Sequence, residues 1–196
     1  MNKRYRTERA KIDLALTMIA REARTSTIKC CTGLSDDRIR RLCTQYFSTR
    51  DGRSVRRRRG KSPHQIAKFV QNAEHQLQAT TIMHLLITAG LLRVTADGTL
   101  QGNWLTVDVD IGQQFCDVYD LYQLVHSKPL FGFEWGWNLM QALGRDEALA
   151  MAHCDRCEVE YLHDRYSLDF HICPACEIRT ERRRRPGARQ YATGGS

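Results

Sequence analysis

Residues 154–176 read CDRCEVEYLHDRYSLDFHICPAC, in which two Cys-x-x-Cys pairs stand fifteen residues apart. Two thiolates at this spacing can turn inward on one tight knuckle, and two knuckles supply the four sulfur ligands of a tetrahedral metal site. Four thiolates leave no open coordination position, which is typical of a structural rather than a catalytic ion. The sequence therefore predicts one structural Zn²⁺ per chain, with Cys154, Cys157, Cys173 and Cys176 as its ligands.

The residues between the two pairs predict short strands. Apolar and polar residues alternate over 159–163 and again over 168–172, which is the period of a half-buried strand. Two such strands carrying the knuckles would make a small zinc ribbon. His153, His163 and His171 are possible substitutes for one sulfur, although the doubled pair favours four cysteines. A redox site is less consistent with the sequence, because no thioredoxin-like pattern surrounds either pair.

The other four cysteines lack the spacing of metal ligands, and we expect them to be buried thiols. They are Cys30, Cys31, Cys43 and Cys116.

The N-terminal segment places basic residues before an apolar run, as a signal peptide does. Asp13 interrupts that run and Arg21-Glu22 follows it, which argues against secretion. No apolar stretch reaches the ~20 residues of a membrane span. We therefore expect a cytoplasmic protein without membrane contact, whose cysteines are reduced or bind metal.

The net charge of +8 is the balance of two cationic tracts and an acidic remainder. Residues 38–61 hold ten basic side chains against Asp51 alone, and residues 179–190 hold six arginines against Glu181. These tracts carry +9 and +5, which leaves −6 for the rest of the chain; residues 97–177 carry −10. Such segregation favours a nucleic acid on one face and a different partner on another, with merely solvated charge as the alternative.

A helix-turn-helix candidate overlaps the start of the first tract. Within 24–47, two short helical patterns flank Gly33, and Ser35 followed by two aspartates is typical of a helix N-terminus. Lys29 occupies a position that is usually small in this motif, and ordinary helical-hairpin packing is the alternative. The second helix and the basic run after it would contact base edges and phosphates. The candidate DNA-binding residues are Arg38, Arg40, Arg41, Thr44, Gln45, Arg56, Arg57, Arg58, Arg59 and Lys61.

The remaining periodicity predicts a mainly α protein. Apolar residues recur at helical steps over 8–23, from Ser62-Pro63 to Gly90, over 117–126 and over 135–143. Residues 95–104 are rich in turn formers and predict a loop.

We expect four parts along the chain. They are a helical, helix-turn-helix-like DNA-binding region with a basic loop (1–60), a helical core and partner-binding region (61–150), a zinc ribbon (151–178) and a basic flexible tail (179–196). In the second part, the aromatic residues Phe131, Phe133, Trp135 and Trp137 are candidates for partner contacts, with core packing the alternative and favoured for Trp137.

Signatures of common enzyme classes are missing from the sequence. It has no P-loop, no Gly-x-Ser-x-Gly and no His-Glu-x-x-His. Asp108 and Asp110 could belong to a nuclease site, but turn-region charge is the favoured interpretation. The sequence therefore does not predict an enzyme.

Taken in chain order, these features resemble the C subunit of the flagellar master transcriptional activator, the FlhC family. The matching residues are Leu34-Ser35-x-x-Arg38-Ile39-x-x-Leu42, Val118-Tyr119-x-Leu121-Tyr122, Pro129-Leu130 followed by Trp137-x-Leu139, and the two Cys-x-x-Cys pairs with a basic tail. The likeness covers most of the chain, and the cysteine quartet is its specific motif. The segment 53–63 replaces a Pro-rich family segment, and 95–115 is unlike the family.

The resemblance implies a hetero-oligomer of four FlhD-like and two FlhC-like chains that binds upstream promoter DNA. It implies recruitment of RNA polymerase to flagellar (class II) operons, a mainly α fold with the four cysteines as zinc ligands, and DNA contacts from the basic surface. Similar activators of conjugative elements switch on transfer operons, so that role is an alternative. A zinc-ribbon protein that binds RNA or processes nucleic acids is an alternative from another class, and a purely structural adaptor is a third.

Overall fold

The computed structural model describes residues 3–47, 65–145, 148–168 and 170–184 and has a mainly helical architecture, as predicted. The helices are α1 (Lys3–Ala20), α2 (Thr25–Thr32), α3 (Asp36–Phe47), α4 (Ala73–Thr88), α5 (Val109–Val125), α6 (Phe133–Gly144) and α7 (Pro174–Arg184). The strands are β1 (Leu92–Val94), β2 (Leu100–Gly102), β3 (Leu149–His153) and β4 (Glu160–Asp164), paired antiparallel as β1-β2 and β3-β4.

Two short helices meet at Gly33, as the sequence predicts. Gly33 adopts a left-handed conformation (φ 68°), and its N–H donates to Lys29 O at 2.8 Å, which closes the C-terminus of α2. Ser35 caps the next helix, because its hydroxyl accepts a 3.3 Å hydrogen bond from Arg38 N. The turn and the cap together fix where α3 begins.

The single long helix predicted from Ser62-Pro63 is wrong. Helix α4 begins only at Ala73, where the Asn72 side chain accepts a 2.9 Å hydrogen bond from His75 N and acts as the N-cap. Before it, Ile66–Val70 forms a short 3₁₀ helix. Phe69 anchors this turn in the core, with its ring centroid 5.1 Å from that of Phe131. Residues 62–63 lie outside the described residues.

The segment from 92 to 125 is more ordered than the sequence indicates. The expected loop over 95–104 contains part of a hairpin, in which Leu92 pairs with Gly102 and Gly98 takes a positive φ of 79° in the turn. Helix α5 starts eight residues earlier than predicted, because Asp108 caps it by accepting a 3.0 Å hydrogen bond from Ile111 N. Asp108 therefore has a structural role at a helix terminus.

One hydrophobic core joins the N-terminal helices to the central ones. Its buried members come from helices α1 to α6, from the 3₁₀ helix and from both hairpins. Packing is close at Gly112 of α5, where an added Cβ would lie 2.7 Å from Leu14 Cδ2 and 2.9 Å from Cys31 Cβ. The residues predicted as 1–60 and 61–150 therefore share a core.

The aromatic residues of α6 and the preceding loop belong to that core. Phe131, Phe133 and Trp137 are all buried, and the Trp137 and Phe133 rings each meet Phe115 edge-on at 5.0 Å. Trp135 is partly buried against Phe69. The core interpretation is therefore confirmed for Trp137, and a partner surface built on the buried rings is wrong.

Within the described ranges, no helix has the length and apolar content needed to cross a bilayer.

Candidate metal centre and nucleic-acid interface

A hairpin and a helix bring the four cysteines together. Cys154 and Cys157 lie in the turn between β3 and β4, whereas Cys173 and Cys176 flank the first turn of α7. Pro174 is the first residue of that helix, a position where its missing N–H costs no hydrogen bond. The second pair therefore sits on a helix N-terminus.

The predicted second strand over 168–172 is wrong, and with it the all-strand ribbon. This segment is not a strand: Phe170 O accepts from the hydroxyl of Tyr161 on β4, and His171 O accepts from Asp155 N of the first knuckle at 2.9 Å. Leu168 is 91% exposed, so the alternation does not mark a buried face here. The first strand of the hairpin, β3, instead precedes the cysteines.

The quartet fits a tetrahedral metal ion. All four Sγ atoms lie within 4.8 Å of one another, and Cys157 Sγ is 3.6 Å from Cys173 Sγ. Zn–S bonds of about 2.3 Å in a tetrahedron place the sulfurs about 3.8 Å apart. Cys154, Cys173 and Cys176 are buried, while Cys157 is exposed. The four cysteines could therefore hold one metal ion.

None of the described histidines completes this group. Among the residues that the structure describes, the cluster contains the four cysteines alone. His153 and His171 instead lie 3.4 Å from Glu160 and Asp155. The ring of His163 stacks on Phe170, with Nδ1 2.8 Å from Asp164 O. The histidines thus contact residues around the four cysteines without joining them.

Backbone N–H groups donate hydrogen bonds to sulfurs of both pairs. Cys173 N donates to Cys154 Sγ at 3.2 Å, and Cys176 N donates to Cys173 Sγ at 3.4 Å. Burial opposes ionisation of Cys154, yet backbone donors from Cys173, Arg156 and Cys157 outweigh it and lower its pKa to about 6. Burial raises the pKa of Cys173 to about 12. N–H groups already point at sulfur, as a thiolate-bound metal requires.

The first knuckle is closed by a strained residue. Glu158 has a positive φ of 60°, and its N–H donates to Cys154 O at 2.8 Å. Cys154 N donates in turn to Val159 O at 3.1 Å. A left-handed conformation costs a non-glycine residue about 1–2 kcal/mol. The surrounding contacts therefore hold Glu158 against its own preference.

Helix α4 fixes the hairpin to the core through a ladder of polar side chains that sequence reasoning missed. Gln76 Nε2 donates to Leu162 O at 2.8 Å, Thr80 Oγ1 accepts from Leu162 N at 3.1 Å, and His84 Nε2 lies 2.9 Å from Glu160 O. The signal was available, because these three polar residues recur every fourth position in a largely apolar helix. They cover the outer edge of β4.

The other four cysteines differ in exposure. Cys31 and Cys116 are buried as predicted, and burial raises the pKa of Cys116 to about 12 and that of Cys31 further. Cys43 is half-buried. The expectation that Cys30 is buried is wrong: it is exposed, because its neighbour Cys31 takes the inward face of the helix.

Helix α3 presents a polar, largely cationic face to solvent. Ile39 and Leu42 are buried against the core, and all five candidate DNA-binding side chains on this helix are exposed. These are Arg38, Arg40, Arg41, Thr44 and Gln45. The other candidates, Arg56–Arg59 and Lys61, lie outside the described residues.

The two aspartates at the start of α3 are paired with cations. Asp36 lies 3.4 Å from Lys29 Nζ, and Asp37 lies 2.7 Å from Arg40 Nη1. Among the described residues, no carboxylate pairs with Arg38 or Arg41. Arg38 and Arg41 are one helical turn apart and so share a face.

Helix α7 is the second cationic element. Arg179 and Arg183 are exposed on it, and Arg156 of the first knuckle donates to Thr180 Oγ1 at 2.8 Å. The helix runs to Arg184, so the first residues of the predicted tail are helical.

No protein-family model matches this chain, and no curated protein matches it.

Proposed function

We propose that this protein is a DNA-binding transcriptional activator subunit, similar to FlhC, that carries one structural Zn²⁺. It would act with an FlhD-like partner on promoter DNA upstream of flagellar (class II) operons and recruit RNA polymerase there. The observation that carries the proposal is the exposed face of α3, on which all five candidate side chains are accessible while two apolar residues hold the helix to the core.

The charges of α3 support contact with a phosphate backbone. Asp36 and Asp37 pair with Lys29 and Arg40, so Arg38 and Arg41 are the cations of α3 that no carboxylate of the described residues pairs with. Arginine binds phosphate or the guanine edge in a bidentate manner, and Gln45, four residues beyond Arg41, can pair with adenine. The same helix can thus supply both backbone and base contacts.

The donor set supports zinc as the resident metal. Four thiolates favour Zn²⁺ or an iron–sulfur cluster, and a closed set of four sulfurs at tetrahedral spacing is typical of structural zinc. Elemental analysis of the purified chain should find one zinc and no iron per chain. Iron, or a chain without metal, would contradict this assignment.

The test of DNA binding compares two charge-neutralised variants of the full chain. Fluorescence anisotropy with a labelled 30-base-pair duplex should show that Arg38→Gln/Arg41→Gln weakens binding at least ten-fold. Arg40→Gln, which removes one charge rather than two, is the comparison variant; because Arg40 already pairs with Asp37, we expect less than a three-fold loss. Zinc content should stay unchanged in both variants. Equal affinity of the double variant and the wild type would overturn the proposal.

Two further experiments distinguish the proposed function from RNA binding and from control of transfer operons. Tighter binding to a single-stranded RNA of the same length would favour an RNA-binding protein. Sequencing of DNA fragments that the chain and its partner retain from their own genome should yield flagellar promoters; promoters of transfer operons would instead assign the conjugative role.

A further inference from the structure

One of the four cysteines in the cluster differs from the other three in its access to solvent. Cys157 is exposed, whereas Cys154, Cys173 and Cys176 are buried. Its sulfur nevertheless lies within 4.8 Å of the other three sulfurs, so it belongs to the same ligand set. Cys157 is therefore the position at which a molecule from solution reaches a sulfur of the cluster.

The four sulfurs also differ in the hydrogen bonds that they accept from the backbone. Cys154 Sγ and Cys173 Sγ each accept one, at 3.2 Å and 3.4 Å. Among the residues that the structure describes, no backbone N–H donates to the sulfurs of Cys157 and Cys176, and of these two only Cys157 is exposed. Such a hydrogen bond withdraws electron density from a thiolate and makes it a weaker nucleophile. Cys157 therefore combines exposure with an unattenuated sulfur, the two properties that favour oxidation.

We propose that Cys157 is a site of oxidation by peroxides, with Cys173 as its disulfide partner. The two sulfurs are 3.6 Å apart, so they need to approach by less than about 2 Å to form a disulfide. Because Cys173 is buried, it reacts after Cys157 and not before it. The inference rests on the zinc assignment proposed above, since a bound zinc ion keeps both sulfurs ionised as thiolates. It does not depend on DNA binding.

The oxidation proceeds in two displacement steps. The Cys157 thiolate attacks one oxygen of hydrogen peroxide, the O–O bond breaks, hydroxide leaves and the sulfur becomes a sulfenic acid. The Cys173 thiolate then attacks that sulfur, the S–O bond breaks, a second hydroxide leaves and the S–S bond forms. The two thiolates lose two electrons in total, and the peroxide is reduced to two water molecules after solvent supplies two protons.

The disulfide removes one ligand from each Cys-x-x-Cys pair. Cys154 and Cys176 remain, and two thiolates do not complete the tetrahedral set of a structural zinc ion. Since Cys173 and Cys176 flank the first turn of α7, loss of the ion also removes what holds this helix start to the first knuckle. Oxidation at Cys157 therefore releases zinc and destabilises the start of α7.

Labelling of the zinc-loaded full chain tests which sulfur reacts first. The background is Cys30→Ser, because Cys30 is exposed and would consume the reagent. After treatment with one equivalent of N-ethylmaleimide, the protein is denatured and its remaining thiols are blocked with the isotopically heavy reagent. Trypsin cleaves after Arg156 and Arg165, which places Cys157 on a peptide without another cysteine. Mass spectrometry should find Cys157 labelled about ten-fold more than any other ligand; equal labelling of the four would overturn the proposal.

Two ligand exchanges in the same background test the consequence for the metal. Cys157→His keeps a zinc ligand, because Cys₃His sets also bind zinc, but removes the exposed sulfur. Cys176→His is the matched control, in which a buried ligand is exchanged instead. A zinc-responsive dye should record release by hydrogen peroxide about ten-fold more slowly from Cys157→His than from Cys176→His or the parent chain. Tandem mass spectrometry of the oxidised parent should find the Cys157–Cys173 disulfide.

The outcomes separate this inference from the zinc assignment. A parent chain without zinc would overturn both. A zinc-loaded parent that keeps its metal in peroxide, equally fast release from Cys157→His, or a first disulfide between another pair of ligands would overturn the inference alone. Where a histidine variant does not retain zinc, the labelling of the four ligands and the identity of the disulfide decide the proposal.

Discussion

Helices α3 and α7 are both short, both cationic on their outer faces, and held in place by different forces. Helix α3 packs Ile39 and Leu42 into the large core that all the N-terminal helices share. Helix α7 begins in a cluster whose buried members are Cys154, Tyr161, Cys173 and Cys176. Burial in the large core therefore stabilises α3, whereas α7 packs on α4 from outside that core and would in addition be stabilised by sulfur ligands to a metal.

The two helices should therefore depend on the metal to different extents. The β3-β4 hairpin joins the large core to the cysteine cluster. Leu149 and Leu162 belong to the core, while Tyr161 and Cys154 belong to the cluster. Loss of the metal should therefore unfold α7 and the knuckles while α3 stays in place. Four predictions test this division.

Removal of two metal ligands should have the largest effect. Metal binding supplies about 10–16 kcal/mol of apparent folding free energy in zinc-finger peptides. We expect Cys154→Ser/Cys173→Ser to abolish metal binding and amide protection in α7, while protection in α4 to α6 persists. Elemental analysis and hydrogen exchange measure both. Cys30→Ser, at an exposed thiol, is the control and should retain the metal. Global unfolding of the double variant would show that the core is not independent.

Substitution of Gly112 should destabilise the large core and leave the metal site intact. Its α-carbon faces Leu14 and Cys31 too closely for a methyl group, so Gly112→Ala should cost about 1–3 kcal/mol of unfolding free energy. Gly136→Ala is the matched control: its added Cβ would lie 3.4 Å from the Phe115 ring, and this helical substitution should gain about 0.5–1 kcal/mol. Urea unfolding gives both values. If metal content fell with Gly112→Ala, the two regions would not be separable.

The polar ladder on α4 should determine how stably the β3-β4 hairpin is attached to the large core. Thr80→Val removes the acceptor of the buried Leu162 N–H, which costs about 1–3 kcal/mol. We expect faster hydrogen exchange in β4 and unchanged exchange in α3. Thr88→Val serves as control, because that hydroxyl bonds only within its own helix, to His84 O. Identical exchange in both variants would show that the Thr80 hydrogen bond does not hold β4 to the core.

Relief of strain at Glu158 should give the smallest effect, and one of opposite sign. Glycine adopts a φ of 60° without penalty, so Glu158→Gly should stabilise the knuckle by about 1 kcal/mol. Competition with a chelator would show this as an approximately five-fold gain in metal affinity. Glu158→Ala removes the carboxylate but keeps the strain, and should show no gain. Equal gains in both would assign the effect to charge.

The sequence predicted well what depends on local pattern. The spacing of the cysteines identified the cluster, Gly33 and Ser35 marked the boundary of α3, and the charge of α3 placed its side chains on the surface. Each of these signals lies within a few residues of the feature that it specifies. Local chemistry was therefore sufficient for the candidate metal ligands and the basic face.

Errors arose where a distant partner decides the structure. The alternation over 168–172 matches a strand, but the backbone there bonds to the Tyr161 side chain on β4 and to the Asp155 N–H in the first knuckle. The apolar pattern after Ser62 continues through Asn72, yet the carboxamide of Asn72 starts a new helix. Cys30 and Cys31 are adjacent, and only the packing of α2 determines which of them is buried.

The most direct measurement is the salt dependence of duplex binding. Each phosphate contact contributes about −0.9 to the slope of log affinity against log salt concentration on duplex DNA. For the full chain on the 30-base-pair duplex, Arg38→Gln/Arg41→Gln should therefore make this slope shallower by about 2, whereas Arg40→Gln should change it by less than 1. Identical slopes for the wild type and the double variant would contradict the assignment of α3 as the DNA-binding helix.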